Sequence, residues 1–428
     1  MIKWLFLVLA SCGGAGGCKS HKVAGSDDNT SETTGMVASP GSSVAPSVVE
    51  RSSREPVEAP RRLRFPERQR LALGAAQTCF VDASDALFCW GGNLFGEVGN
   101  ATHGWTGSLE EIRNPASYVT APVRVLARGV HSIAAWRGRS FAVDREGRLS
   151  AWGVDVGREV DGHRFIDRPL PEPTPAPVVR VAPAAPCVLG RNGAAYCARE
   201  LESKPSATKE EGALGYHAFK EVPELGSGLL DLAATEASAC AVKSDHSVWC
   251  WGKNDYGQLG RPKGPPEAIP REVPGLSARQ IVAGHYHFCV VSPKREALCW
   301  GQANHHQLGN AERVMGGLSS PQRVTLPGPV VQLAANAGTT LALLEDGSVY
   351  AWGEGFYGLL ARAGSDESSS VPVRIEGLGT VVQIGVGTGH ACALREDDSV
   401  WCWGQGDDYQ LGGGNNEDSR APVRVVFP

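Results

Sequence analysis

Ten cysteines fall into five pairs of identical spacing, and the chemistry such spacing suits is oxidation to disulfides. The pairs are Cys79 with Cys89, Cys187 with Cys197, Cys240 with Cys250, Cys289 with Cys299 and Cys392 with Cys402, each flanking nine residues. Two further copies of the same stretch lack both cysteines together, with Phe141 and Ala151, or Leu341 and Ala351, in their place. No copy keeps only one, as expected if each pair is bonded. If Leu341 faces Ala351 across a hairpin, the loop is Glu345-Asp346-Gly347, and its last residue must be left-handed. The equivalent positions hold Asp85, Gly147, Gly193, His246, Arg295 and Asp398, mostly residues that tolerate that conformation. This register sets each cysteine directly opposite its partner, with Cα atoms about 4.5–5.5 Å apart, inside the disulfide range. Zinc would need clustered Cys/His ligands, which lone pairs in separate repeats do not supply. No C-x-x-C is present, so the bonds are structural, worth about 2–3 kcal/mol each at most.

Other reactive types are scattered. His285 and His287 are two apart, and His305 and His306 are adjacent. His287 and His390 share their repeat position with Gln77, Arg139, Ser238 and Thr339, so that position asks for a polar group rather than a ligand. Gly385-Val-Gly-Thr-Gly389 follows a strand pattern but opens no helix, which removes the anion-binding mechanism of a phosphate loop. No Ser/His/Asp or Cys/His arrangement is legible. No catalytic residue, metal or cofactor is expected, and the chain is read as a non-enzyme.

The elements that carry these residues repeat. Trp-Gly ends six copies, at Trp90, Trp152, Trp251, Trp300, Trp352 and Trp403, and a degenerate copy has Ala198 in place of Trp. The intervals are 62, 46, 53, 49, 52 and 51 residues, a period that means a propeller or solenoid. The last copy shows four short β-prone segments separated by turns, which make one four-stranded antiparallel blade. The predicted fold is therefore all-β: a seven-bladed β-propeller over residues 59–428, with Trp90, Trp251, Trp300, Trp352 and Trp403 in the core between blades. Ala59-Pro-Arg-Arg-Leu-Arg-Phe65 echoes Ala421-Pro-Val-Arg-Val-Val-Phe427, so two segments compete for one outer-strand slot at ring closure.

Trp251-Gly-Lys-Asn-Asp-Tyr-Gly-Gln-Leu-Gly260 resembles the hallmark of the regulator-of-chromosome-condensation repeat family. Trp300 to Gly309 and Trp403 to Gly412 are close variants, and Gly284-His-Tyr-His-Phe-Cys and Gly387-Thr-Gly-His-Ala-Cys resemble its second signature, a Gly-x-x-His turn. The resemblance implies a seven-bladed propeller. It leaves function open, because that family includes a nuclear exchange factor, a photoreceptor and a secreted β-lactamase inhibitor. The third copy departs from the pattern, and insertions fall at 101–120 and 199–218.

The amino terminus sets the compartment. Met1-Ile-Lys-Trp-Leu-Phe-Leu-Val-Leu-Ala-Ser-Cys12 has one Lys, a short apolar run and small residues before a cysteine. Leu9-Ala10-Ser11-Cys12 resembles a bacterial lipobox, giving a signal peptide over 1–11 and lipidation at Cys12. Gly13 after it suits an outer-membrane address, with the body facing periplasm or cell surface. Residues 12–58 are read as a disordered tether, too polar to offset the entropy of ordering. The net charge of −5 gives no electrostatic case for nucleic acid.

What remains is a surface. The Gly-x-x-His turns vary most among otherwise alike copies, and the variants include Trp136, Arg137, Arg139, Glu236, His285, Tyr286 and His287, types that dominate protein interfaces. A second loop set carries Phe95, Tyr256, His305, Tyr357 and Tyr409, with Trp105 in an insertion. The sequence is thus read as a monomeric, membrane-anchored scaffold that binds a protein partner. An envelope glycan-binding or glycan-active propeller is the competing reading.

Overall fold

The computed structural model describes residues 68–104, 117–154, 165–182, 184, 187–197, 219–311, 316–362 and 365–428. Cys12, the leader, the 12–58 segment and Trp105 lie outside the described residues. Seven four-stranded antiparallel sheets follow one another along the chain, spanning 71–126, 130–172, 178–221, 229–277, 280–324, 330–375 and 381–424; we number them blades 1 to 7. The innermost strands of neighbouring blades touch in sequence, and Leu71–Leu73 of blade 1 meets Val381–Val386 of blade 7, so the ring is closed. This is the seven-bladed propeller the repeat predicts. Blade 3 keeps four strands despite its lost Trp-Gly, although its outer strand shrinks to Lys220–Glu221.

The hairpin register is as the cysteines require. Cys79 is bonded to Cys89, Cys187 to Cys197, Cys240 to Cys250, Cys289 to Cys299 and Cys392 to Cys402, each directly opposite its partner. Their Cα atoms are 4.0–4.1 Å apart, closer than the spacing expected of opposed strand residues. All ten are buried, including Cys197 at the end of the short strand Ala195–Cys197 in blade 3 and Cys299 in the seam between blades 5 and 6. Phe141 faces Ala151 and Leu341 faces Ala351 in the two copies without sulfur. All seven loop-end positions are left-handed, from Asp398 at φ 61° to Gly147 at 86°.

The Trp-Gly pair has a geometric reason in both halves. Each tryptophan is buried, and in five of the six the indole N–H reaches the backbone of the preceding blade, as from Trp90 to the Gln410 carbonyl (2.9 Å), Trp300 to Gln258 (2.9 Å) and Trp352 to Gln307 (2.9 Å). A buried indole donor is thereby satisfied while its rings fill the seam between blades. The following glycine adopts φ near +100°, at Gly91, Gly153, Gly252, Gly301, Gly353 and Gly404, which excludes other residues. A Cβ at Gly153 would lie 2.1 Å from the Gly138 carbonyl oxygen.

Between blades, side-chain amides clamp the next inner strand. Gln280 accepts from the Leu333 N–H (2.8 Å) and donates to its carbonyl (3.1 Å); Gln332 does the same to Ile384 (3.0 and 3.2 Å). Gln383 continues this across the closure, accepting from the Arg70 N–H (2.7 Å) and donating to the Arg68 carbonyl (2.8 Å). In blade 4 the buried Asp231 takes the role, accepting from the Ile281 N–H (2.9 Å), and Arg180 of blade 3 pairs with it (2.9 Å). Closure is settled at the outer edge too. Ser419–Arg424 fills the outer slot of blade 7, and Phe427 packs on Phe80, Phe88 and Trp90 of blade 1, with ring centres 5.5–6.0 Å apart. The competing residues 59–67 lie outside the described residues.

Candidate partner-binding face

In each blade the first-to-second turn and the third-to-fourth loop lie at one end of the strands, because consecutive strands are antiparallel. The second-to-third hairpins lie at the other end. Both loop sets singled out in the sequence therefore share one face, a consequence of strand parity that sequence comparison of the copies did not bring out.

The Gly-x-x-His turns knit neighbouring blades. The Thr388 N–H donates to the Gly74 carbonyl (3.1 Å), Ala75 to Arg137 (2.8 Å) and His285 to Ala337 (3.0 Å). The histidine of the turn is a seam residue. His390 Nε2 lies 2.8 Å from Thr78 Oγ1 of the next blade, and that hydroxyl donates onward to the Gln410 carbonyl (2.9 Å). The hydroxyl proton is thus spoken for, so Nε2 carries the imidazole proton. His287 repeats the arrangement with Thr340 at 2.9 Å. Both rings are fully buried, and burial drives their pKa down to about 3, keeping them neutral.

His287 and Arg139 therefore do not belong to the exposed partner surface expected of them. Arg139 is buried, lies 3.8 Å from Glu172, and stacks over Phe141 at 5.0 Å. Sequence position showed which turn these residues occupy but not which way they point.

The other five expected residues come together at the mouth of the central channel. Trp136 and Arg137 come from blade 2, Glu236 from blade 4, and His285 and Tyr286 from blade 5. Arg137 forms an ion pair with Glu236, and His285 Nε2 lies 3.5 Å from the same carboxylate. The His285 and Tyr286 rings stack at 4.4 Å, Trp136 meets His285 at 6.5 Å, and Tyr256 from the adjoining loop set extends the row to Tyr286 at 5.3 Å. Tyr256 is the member that the turn alignment missed. Burial, then the Glu236 charge, holds the Tyr286 phenol above its ordinary pKa, so it remains a neutral donor. Arg137 sits at φ 48°, a left-handed conformation rare for a long side chain, and it reaches across the mouth past blade 3.

Beneath lies a channel of about 240 Å³, lined by the inner strands, with alanines such as Ala72, Ala135, Ala182 and Ala335 among larger side chains such as Gln280 and Gln332. The face thus offers a contiguous aromatic row with one ion pair. Among the described residues no group of three or more His, Cys, Asp or Glu is placed to hold a metal.

Fold and face together define a class. Residues 24–427 match the family model of the RCC1-like domain, and the chain belongs to that family. The human E3 ubiquitin-protein ligase HERC2 is 34% identical over 201 residues, which is 46% of this chain and 3% of the ligase, so this chain spans only a small part of that relative. The ultraviolet-B receptor UVR8 of Arabidopsis thaliana is 27% identical over 327 residues, covering 73% of this chain and 72% of the receptor. Among solved structures, Prp20p of Saccharomyces cerevisiae superposes with a TM-score of 0.66 at 21% identity, covering 85% of this chain and 87% of that one. Human WBSCR16 gives 0.69 at 21%, with 80% and 95% covered. At such identities these two structures speak for the fold alone.

Proposed function

We propose that this chain is an exported, lipid-anchored propeller that binds a protein partner through the aromatic mouth and performs no chemistry of its own. The observation that carries the reading is the convergence of Trp136, Arg137, Glu236, His285 and Tyr286 from three separate blades onto one mouth, joined by Tyr256. Aromatic and arginine side chains presented together are what hot spots are made of. One solved relative, Prp20p or yeast RCC1, is described in the same terms in two structures, with binding to Gsp1p and histones and bound by Kap60. Export rests on the leader and its lipobox-like Cys12, and five disulfides suit an oxidising compartment. We place the body at the outer membrane, as a monomer, with no nucleic acid partner.

The test is capture of partners from envelope extracts by the full chain and by Trp136→Ala with Tyr286→Ala. The double variant should keep its melting temperature and disulfides but lose the captured protein. An unchanged set of captured proteins would contradict the assignment. Membrane fractionation checks the anchor: Cys12→Ala should move the protein into the soluble fraction, and a variant that stays with membranes would contradict lipidation there.

A further inference from the structure

The opposite face, where the second-to-third hairpins lie, is built differently on blades 1 to 3. The first residue of the hairpin loop is Arg145 in blade 2 and Arg191 in blade 3, whereas the other blades place Ala83, Ser244, Pro293, Glu345 and Glu396 there. Arg145 and Arg68 both pair with the single carboxylate of Asp85 at the loop end of blade 1, the Arg145 Nε lying 2.8 Å from it. Arg191 donates to the Arg145 carbonyl (2.8 Å), which ties the third guanidinium to the same spot. His131 stands beside them, and together with Arg68 it lines the channel's second mouth.

The charge around this spot is unbalanced. Asp144 and Glu146, the other acids of the blade 2 loop, share Arg148, at 2.6 and 3.2 Å, so four guanidiniums stand against three carboxylates here. The charges that act on His131 are the guanidiniums of Arg68, Arg145 and Arg191 against the carboxylate of Asp85. After burial, Arg68 and Arg145 do most to hold this imidazole below its usual pKa. Arg68, just before blade 1, and the hairpin arginines of blades 2 and 3 gather around the Asp85 carboxylate as a basic corner at a channel mouth. Guanidinium forks match tetrahedral oxyanions bidentately, and the match is closer than for a point charge.

We propose that Arg68, Arg145 and Arg191 form a phosphate-binding site at this second mouth, taking free phosphate or a phosphate monoester. Asp85 acts as an internal competitor that holds the guanidiniums in place when the site is empty. The site is independent of the aromatic face and of any partner bound there.

Isothermal titration of the full chain with inorganic phosphate, glucose 6-phosphate and sulfate tests this, with the His131 ring resonances followed in parallel. Phosphate should bind with a shift at His131. Arg145→Gln with Arg191→Gln should abolish both signals. Asp85→Asn, which keeps a residue able to sit at φ 65°, should tighten binding about fivefold to tenfold by releasing two guanidiniums. Tighter binding of the sugar phosphate than of phosphate would identify a monoester as the natural ligand, and the reverse would identify the free ion. No heat and no His131 shift would overturn the site, as would undiminished binding by the double glutamine variant with its fold intact.

Discussion

At the scale of single residues, Glu97 is the position where chemistry departs from the repeat. It occupies the place held by Gln258, Gln307 and Gln410 in other blades. Its carboxylate accepts from the Phe95 N–H at 2.7 Å, as Gln258 accepts from Tyr256 and Gln307 from His305, each at 2.8 Å. Burial, with a smaller push from Asp408, raises Glu97 to about 8. A neutral carboxylic acid therefore stands in for an amide. The folded chain holds this proton more tightly than the unfolded chain, whose group titrates near 4.5. Its contribution is intact below pH 4.5 and is lost as pH rises toward 8, at about 1.4 kcal/mol per pH unit. His287 and His390 act on the other flank: both stay neutral when folded, so stability falls as pH drops below 6.5. Glu97→Gln should leave stability at pH 4.5 nearly unchanged and raise it by several kcal/mol at pH 8, read from urea midpoints at both values. Equal gains at the two pH values would rule out a titrating Glu97.

At the scale of elements, the outer strands carry a regularity that explains their prolines. Opposite each Trp-Gly tryptophan, three outer-strand residues stand against one. Cys89 and Gly91 face Val123 and Val119, Ala351 and Gly353 face Val373 and Ser369, and Cys402 and Gly404 face Val423 and Ser419, with the same step in blades 2, 4 and 5. The last of the three is always proline: Pro122, Pro169, Pro270, Pro321, Pro372 and Pro422. A bulge leaves the ladder interrupted, so a residue without an N–H fits there, and proline on an outer strand also discourages edge pairing. Pro372→Ala should cost about 0.4–1 kcal/mol through the freer unfolded chain, seen as a lower denaturant midpoint at constant slope. An unchanged midpoint would show that the bulge does not depend on it.

The hairpins were legible to the residue, because joint loss of both cysteines fixes who faces whom and the loop-end residue follows by counting. Copying blade 6 into blade 4, as Cys240→Leu with Cys250→Ala, should therefore cost less than Cys240→Ala alone, which leaves a lone buried thiol facing a cavity; thermal melts compare them directly. The bulges were not legible. They arise from pairing between strands, and only the recurrent Pro-Val-Arg hinted at them.

At the scale of the molecule, the ring is a set of seams. Indoles, the His–Thr pairs and the glutamine clamps all cross from one blade to the next, and Gln383, Trp90 and Phe427 repeat these contacts at closure. The period of the Trp-Gly pairs made this architecture readable, and most of those tryptophans were placed in the core from sequence alone. The face was only half readable. Which turns vary could be counted, but blades 2, 4 and 5 meet across the channel because the ring curves, and no local pattern encodes that meeting. Inward burial of His287 and Arg139 was hidden for the same reason.

A photo-crosslinking residue placed at Tyr286 in intact cells tests the central claim, with the same residue at Lys294, an exposed loop position of the opposite face, for comparison. Position 286 should give a discrete protein adduct, lost when Trp136→Ala is added, and position 294 none. An adduct formed only from position 294, or equally from both, would contradict it.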